Sequence, residues 1–491
     1  MAVQTKTRNT TLRDEVARFL PRYQIIRDVI EQKVDEKGET YLPCPSGVPA
    51  SRRTDEEKLR YAAYVMRAIF YNYTGRTLGG FIGQIFSRDP EIKVPSKLEA
   101  LQKDVTGNGL SLIQLAKEAS AEVLSVGRFG LLVDYPDFAT TPTKAQVDNG
   151  EARPVILPYL AENILDWDFK QIGAKWVLSY VELKEKYNER DPATNQLTVK
   201  DQWRELKLTD DNVYIQRVWR EVDEYGERDV IPKANGKTLT EIPFSFIGSV
   251  NNDADPDLPP MYDMAKINVG HYRNSADYEE SVFIIGQPTF VVSGISEKWW
   301  EKVLNKVLKF GARNGIALEK EAKAEILQAE PNTLAKEAMD AKQEQLAAMG
   351  AEFLRSETVQ KTATEAELND SARTSAISNA AKNVSAAFQF ALEWAAIFQG
   401  EAEDSVTFVL NSNFDLARLT DAERAQLIKE FQAGGISWTE WRTALHGAGI
   451  ATLEDKQART EIDEQEAKAI EKAAAEFAAA NPDPTAGNGA D

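Results

Sequence analysis

Between about Leu258 and Gly400 the chain reads as helix, compact mixed insert, long helix, abrupt break and second long helix, and no other stretch limits the possible folds as much. The first helix spans Met261 to about Ile285, the insert ends near Pro331, and the long helix runs from about Leu334 to Ser356. It breaks at Thr358-Val359-Gln360-Lys361-Thr362-Ala363-Thr364. Helix resumes toward Phe398, with Thr364 and Glu367 spaced as a capping box. About 23 residues at ~1.5 Å rise make a rod of about 34 Å, long for a globular helix and suited to lining or buttressing a channel. The pattern predicts a machine part rather than an enzyme.

At 491 residues the chain exceeds one compact core, so two to four domains are expected. No run of about 18 apolar residues marks a membrane span, and Met1 to Arg8 lacks the apolar core of a secretory signal. The chain is therefore expected to stay in the compartment where it is made. Cys44 is the only cysteine, so no internal disulfide or cysteine-based zinc site can form; with only His271 and His446 besides, no metal and no cofactor are expected. The net charge is −19, from 58 basic and 77 acidic residues. This argues against a conventional DNA-gripping protein, yet an acidic surface lets a duplex pass without holding it.

Leu12 to Lys37 reads as one helix closed by Gly38, with Val16, Phe19, Leu20, Tyr23, Ile26 and Ile30 on one stripe. Thr54 and Glu57 form a capping box before a second stripe of Leu59, Ala62, Met66, Ile69 and Tyr73. Leu110 to Val126 is a further amphipathic helix, and Phe129 to Pro136 a buried strand. From Arg153 to Ile247 the period changes to strands, with Val213, Ile215 and Trp219 on one face and Asn235-Gly236 as a hairpin turn. Asn251 to Pro260 is an acidic connector. After Gly400 a strand, Val406 to Leu410, leads to helices opened by Thr420 with Glu423 and by Ser437 with Glu440, with Gly434-Gly435 ending the first. Thr452 to Ala480 is a charged, alanine-rich helix, and residues 481–491 have a disordered composition. The expected class is α+β, mainly helical.

Motifs that suggest chemistry weaken on inspection. Gly236-Lys237-Thr238 lacks the upstream glycine of a phosphate-binding loop, since position 231 is Ile231. Asp253, Asp255 and Asp257 start like a calcium loop, but Leu258 and Met264 stand where glycine and glutamate are needed. His271 and His446 sit in no nucleophile or metal motif, and no carboxylate pair stands out for acid-base work. Lys298, Lys302, Lys306, Lys309 and Arg313 recur every three to four residues and would line one face of an insert helix, either merely solvated or meeting DNA, an acidic partner or a neighbouring subunit. In the last long helix, small residues such as Ser375, Ser378, Ala380, Ala381 and Ala387 accompany the stripe Ile377, Val384, Phe388 and Leu392. They allow close approach by helices of this chain or of another.

Several strings, in order and spacing, resemble the portal proteins of tailed bacteriophages and prophages. They are Arg52 to Glu57, Tyr71-Asn72-Tyr73-Thr74-Gly75-Arg76-Thr77, Gly83 to Pro90, Gly127 to Pro136, Ile326 to Thr333 and Thr362-Ala363-Thr364-Glu365-Ala366, covering roughly residues 50 to 415. The resemblance implies a ring, usually of twelve subunits, at one capsid vertex, through which the terminase motor drives double-stranded DNA for packaging and from which DNA is ejected. It implies a wing-like region over 1–260, stem helices over 261–285 and 331–357, a clip-like insert over 286–330, a tunnel loop over 358–364, a wing helix and strand over 365–415, a helical crown over 416–480 and a tail over 481–491. Gln360, Lys361, Thr362, Ala363 and Thr364 are then the tunnel-loop candidates, and the five insert cations the basic face of the clip. Implied partners are further copies of the chain, the terminase large subunit, major capsid and scaffolding proteins and a head-tail adaptor, with no membrane. Implied localisation is the virion, after assembly in the bacterial host cytoplasm. Competing classes are a capsid-associated adaptor or scaffold without a closed ring, and an acid-base hydrolase.

Overall fold

Helix starts are set by local hydrogen bonds at several of the predicted places. Thr54 accepts from the Glu57 amide at 3.2 Å while the Glu57 carboxylate accepts from the Thr54 amide at 2.8 Å, and Ser111 and Gln114 repeat the arrangement. The computed structural model describes residues 12–135, 146, 152–220, 229–234, 236–287, 289–304, 306, 318–327, 333–354, 375–412, 421–447, 451, 453 and 455–480. They divide into two compact units, residues 1–412 and 413–491. The chain is α+β, as expected.

The first unit begins with α1 (Asp14–Ala17), α2 (Leu20–Ile30), α3 (Asp55–Arg67), α4 (Tyr73–Ile85), α5 (Glu99–Lys103) and α6 (Leu112–Val126). The single helix expected over Leu12 to Lys37 is instead two, and it stops at Ile30 rather than at Gly38. The cause is Asp28, which is buried and gathers the Tyr41 hydroxyl, the Lys37 ammonium and the Gln24 amide, folding residues 33–41 back over the helix end. Gln32 takes the left-handed conformation at that reversal, with φ +59°. The stripe expected to be core in α3 is also reversed. Tyr64 is buried and Tyr61 and Val65 pack beside it, whereas Leu59 and Met66 are 73% and 80% exposed and Ile69 also faces outward.

The strand-rich region folds as predicted. A three-stranded sheet in the order β11–β2–β3 joins β2 (Arg128–Asp134), β3 (Val155–Leu160) and β11 (Phe244–Gly248). An antiparallel five-stranded sheet runs β4–β5–β6–β7–β8, from β4 (Ile164–Ile172) through β5 (Lys175–Arg190), β6 (Leu197–Leu208) and β7 (Tyr214–Arg220) to β8 (Asp229–Val230). β9 (Lys233–Ala234) and β10 (Lys237–Thr238) pair around Gly236, whose φ of +77° suits the hairpin turn read from the sequence. In β7 the buried residues are Tyr214 and Gln216, on the face opposite to Val213, Ile215 and Trp219. That parity follows from a polar cluster: Gln216 donates to Asp134 at 2.9 Å and accepts from Arg204, which also binds Asp134 and Glu185.

Continuing along the chain are α7 (Tyr262–Ile285), β12 (Thr289–Ser293), α8 (Glu297–Lys302), β13 (Lys323–Leu327), α9 (Leu334–Leu354), α10 (Ala376–Gln399) and β14 (Thr407–Val409), which pairs with β1 (Glu91–Lys93). Helix α10 is the spine of the unit. Ile377, Val384, Phe388 and Leu392 are fully buried, and the small residues Ala380, Ala381 and Ala387 admit α6, β2 and β11 closely, so this helix packs within its own chain. Burial of each large member of that stripe contributes about 1.5–3 kcal/mol. Gln389 fastens β14 by accepting from the Phe408 amide at 2.8 Å and donating to the Val406 carbonyl at 3.1 Å.

The second unit holds α11 (Asp421–Gln432), α12 (Trp438–Gly447) and α13 (Asp455–Ala480). Gly434, at φ +73°, follows α11, and Ser437 with Glu440 forms the expected capping box before α12. Phe431, Trp438 and Trp441 cluster between α11 and α12, with Phe431 stacked on Trp441 and edge-on to Trp438.

The turn from α6 into β2 requires glycine. Gly127 stands at φ +80°, and a Cβ there would lie 3.2 Å from the Leu258 carbonyl oxygen and 3.3 Å from Pro260 Cδ. Replacing Gly127 by Ala should cost about 1–3 kcal/mol and lower the thermal unfolding midpoint of the full chain; an unchanged midpoint would show that the turn relaxes.

Candidate functional site

The site is built on α7, which is half rooted and half free. Its first half is buried along Met264, Ala265, Asn268, Val269, His271, Tyr272, Ser275 and Ala276. Asn268 Oδ1 accepts from the Thr74 amide and hydroxyl at 3.1 Å, and its Nδ2 donates to the Tyr71 carbonyl at 2.7 Å. Ser275 accepts from the Ile69 amide at 3.0 Å, Arg273 donates to the Tyr41 carbonyl, and the Tyr64 hydroxyl donates to Asp277 at 2.7 Å. Arg67 pairs with Glu280 and lies 4.2 Å over the Phe283 ring. Beyond that contact Val282, Phe283 and Ile284 are each close to half exposed.

Helix α9 runs back along α7. Lys342 donates to Asn274 at 2.6 Å and its stem lies against Gly270, where a Cβ would meet Cε at 3.0 Å. Phe353 stacks on Phe81 at the far end. Among the described side chains of α9 only Leu346 is buried. Lys336, Glu337, Asp340, Glu344 and Glu352 are exposed, so the open surface carries more acid than base.

His271 is a packed core residue. It is 2% exposed, packs edge-on against the Tyr71 and Tyr73 rings at 5.6 and 5.2 Å, and its Nδ1 meets no hydrogen-bond partner among the described residues. Burial, reinforced by the Lys342 charge, pushes its pKa down. Of His446 only its place in α12 is described.

The insert differs from the expected basic helix. α8 ends at Lys302, with Ser296 as its N-cap, and Ser296 is itself held by the Glu319 carboxylate. Lys298 and Lys302 are exposed one turn apart, but Lys306 lies past the helix at φ +59° with its ammonium on Glu301 at 2.9 Å. The row is broken because Lys306 donates its amide to the Trp300 carbonyl, closing the helix end. Lys309 and Arg313 lie outside the described residues, as do Gln360, Lys361, Thr362, Ala363, Thr364 and the capping pair Thr364 and Glu367.

One feature that sequence reading missed is a buried arginine at the root of the connector. Arg128 is 2% exposed, donates to the Ala254 carbonyl and lies 4.4 Å over Trp167 and 5.1 Å from Phe246. Burial lowers its pKa to about 10, against the opposing influence of Tyr23 and of Asp255, Asp253 and Asp257, and it remains a cation at neutral pH. Asp257 in turn accepts from the Ser249 hydroxyl and the Val250 amide, which ties the acidic connector down, while Asp253 and Asp255 stay exposed. A run of acids more than 120 residues from an arginine carries no local signal of such a pairing.

A cleft of about 540 Å³ beside β3 is lined by Tyr159, Lys184, Glu185, Lys186 and Arg204. Burial raises the Glu185 pKa, but Arg204 outweighs it and holds the carboxylate below its ordinary value. Glu185 is thus an occupied anion with no capacity to act as an acid at neutral pH. Among the described residues no group of three or more His, Cys, Asp or Glu is placed to hold a metal, and no helix is long and apolar enough to cross a membrane.

A family model described as a domain of unknown function (DUF4055) matches residues 260–399, the stretch from α7 to α10. No curated protein matches the chain. Similar solved structures include a chain of the virion of a native gene transfer agent particle, with TM-score 0.40 and 14% identity, covering 83% of this chain and 96% of that one. A chain from the neck of an empty gene transfer agent particle computed with C6 symmetry gives TM-score 0.41 and 14% identity over 83% and 96%. A chain from the neck of the native particle computed with C12 symmetry gives 0.39 and 14% over 76% and 90%.

Because the folded state holds His271 neutral, its contribution to stability is complete above the unfolded pKa near 6.5 and is lost as pH falls through the lower folded pKa. The thermal midpoint should therefore drop between pH 7.5 and 5.5. In a His271→Phe variant the drop should be shallower; equal slopes would remove His271 as the cause.

Proposed function

We propose that the chain is a portal subunit, assembling head to tail into a ring at a capsid vertex through which DNA is packaged and ejected. The observation that carries this reading is the bareness of α9. A 21-residue helix, about 32 Å long, keeps a single buried side chain among those described. Helices in proteins are held mainly by packing an apolar face, so α9 needs neighbours beyond those that the described residues supply. Its exposed Ala341, Ala347, Ala348 and Ala351 allow close approach, and head-to-tail contacts related by rotation close into a ring.

In this reading α7 and α9 are the stem, the β12–α8–β13 insert is the clip, and the second unit is the crown. The open surface of α9 sets Lys336 against four exposed acids and gives a duplex little to grip, so DNA slides. Gln360 to Thr364 form the loop that touches it. Lys298 and Lys302 face an acidic partner or the duplex. The terminase large subunit and a head-tail adaptor dock on the ring, which sits among capsid and scaffolding proteins in the virion.

Native mass measurement tests the assembly: twelve copies of a 54.7 kDa chain give about 656 kDa. A stable monomer or dimer at all salt and protein concentrations would sink the reading. Ala348→Arg should abolish the large species while shifting monomer stability by less than about 0.5 kcal/mol. Deleting Gln360 to Ala363 should leave the ring intact and impair DNA packaging; full packaging would remove these residues from the channel.

A further inference from the structure

Three glycines inside α4, Gly79, Gly80 and Gly83, are exposed, and among the described residues nothing lies within 4 Å of where a Cβ would stand on any of them. Glycine is the poorest helix former after proline, so alanine at each position would fit and would strengthen the helix. The separation of two packed helices is set by the side chains at their crossing, and glycines there admit another helix closely. Arg76 stands on the same face, exposed and without an ion pair among the described residues.

Helix α9 repeats the spacing with the opposite charge. Arg76, Gly79, Gly80 and Gly83 fall at i, i+3, i+4 and i+7, and so do Glu344, Ala347, Ala348 and Ala351, which are exposed as well. Glu344 also makes no ion pair among the described residues. Within the chain the two helices already lie side by side and run the same way, since Thr77 lies against Gly350 and Phe81 stacks on Phe353. At about 100° per residue, the open face of each helix stands roughly 130° round from the face that they share.

Resting on the ring reading above, we infer that the open face of α4 seats α9 of the adjacent copy of this chain, with Arg76 opposite Glu344. Rotation about a ring axis carries a helix to the next copy without reversing it, so α9 meets the next α4 in parallel, as it meets its own. In that alignment a single offset brings Gly79, Gly80 and Gly83 opposite Ala347, Ala348 and Ala351 while the two charges meet. The helices then alternate around the ring, each covered on both sides. Pairing of α4 with α4 would need a two-fold axis, would stop at a dimer and would leave Glu344 unpaired.

Paired cysteines in the full-length chain carrying Cys44→Ser test the contact. Gly80→Cys with Ala348→Cys, oxidised in the assembled ring, should give a ladder of covalent multimers beyond the dimer on a denaturing gel, because a disulfide needs Cα atoms within about 7 Å. A ring of the expected mass that yields only monomer bands overturns the inference and leaves the ring standing. An internal bond does the same, by giving the face to the α9 of its own chain. Dimers from Gly80→Cys alone overturn it as well, by pairing α4 with α4. Where the cysteines block assembly, charge exchange decides: Arg76→Glu or Glu344→Arg alone should cut the yield of ring about tenfold or more, and the two together should restore it. A double variant no better than the single ones overturns the inference. Absence of any ring from the unsubstituted chain is read from the mass alone; it defeats the assembly, and this contact falls with it.

Discussion

Asn268 is fully buried in the first half of α7 and satisfies both ends of its amide within one short stretch, Tyr71 to Thr74. An unpaired amide at such depth would cost about 1–3 kcal/mol, so the register of α7 against α4 is tightly specified. Everything distal depends on that register. With Ser275 on Ile69 and Asp277 on Tyr64, the helix is held along its first four turns and leaves the core carrying the insert at its end. Among the described elements α9 leans chiefly on α7, with α4 and α10 beside it, and most of its described side chains stay exposed.

The acidic chain also buries charge where rigidity is needed. Arg27 bridges Glu122 and Glu162, and Arg204 bridges Asp134 and Glu185. Both guanidiniums are made still more basic by their carboxylate partners despite burial. Among the described residues Arg128 has no carboxylate in contact. It is held by a carbonyl and by aromatic faces, with Nε and Nη2 unpartnered among the described residues, and its pKa moves the other way. Removing a partner from either of the first two would strand a charge. At Arg128 the aromatic stacking offsets the desolvation, and the connector of Asp253, Asp255 and Asp257 is drawn over it.

The comparison of α3 with α10 separates local from tertiary information. In α10 the stripe at Ile377, Val384, Phe388 and Leu392 is the buried one, because the helix is covered on nearly every side and any apolar stripe would be inside. In α3 both faces are apolar enough to serve, and the tyrosine face wins: Tyr61 donates to the Leu42 carbonyl and Tyr64 to Asp277, bonds that Leu59 and Met66 cannot make. Periodicity counts apolar residues and is blind to where a hydroxyl finds its acceptor.

Sequence alone determined the helix starts at Thr54 and Ser437, the end of α11 at Gly434 and the hairpin at Gly236, because each rests on residues within a few positions of one another. The tertiary structure decided that α2 stops at Ile30, that Lys306 turns back onto Glu301, that Arg128 is clasped by a connector 126 residues away at Ala254, and that Leu346 is the only buried side chain among those described in α9. Those outcomes depend on which distant groups meet, and burial of a charge or exposure of an apolar face is a property of the neighbours, not of the residue that bears it.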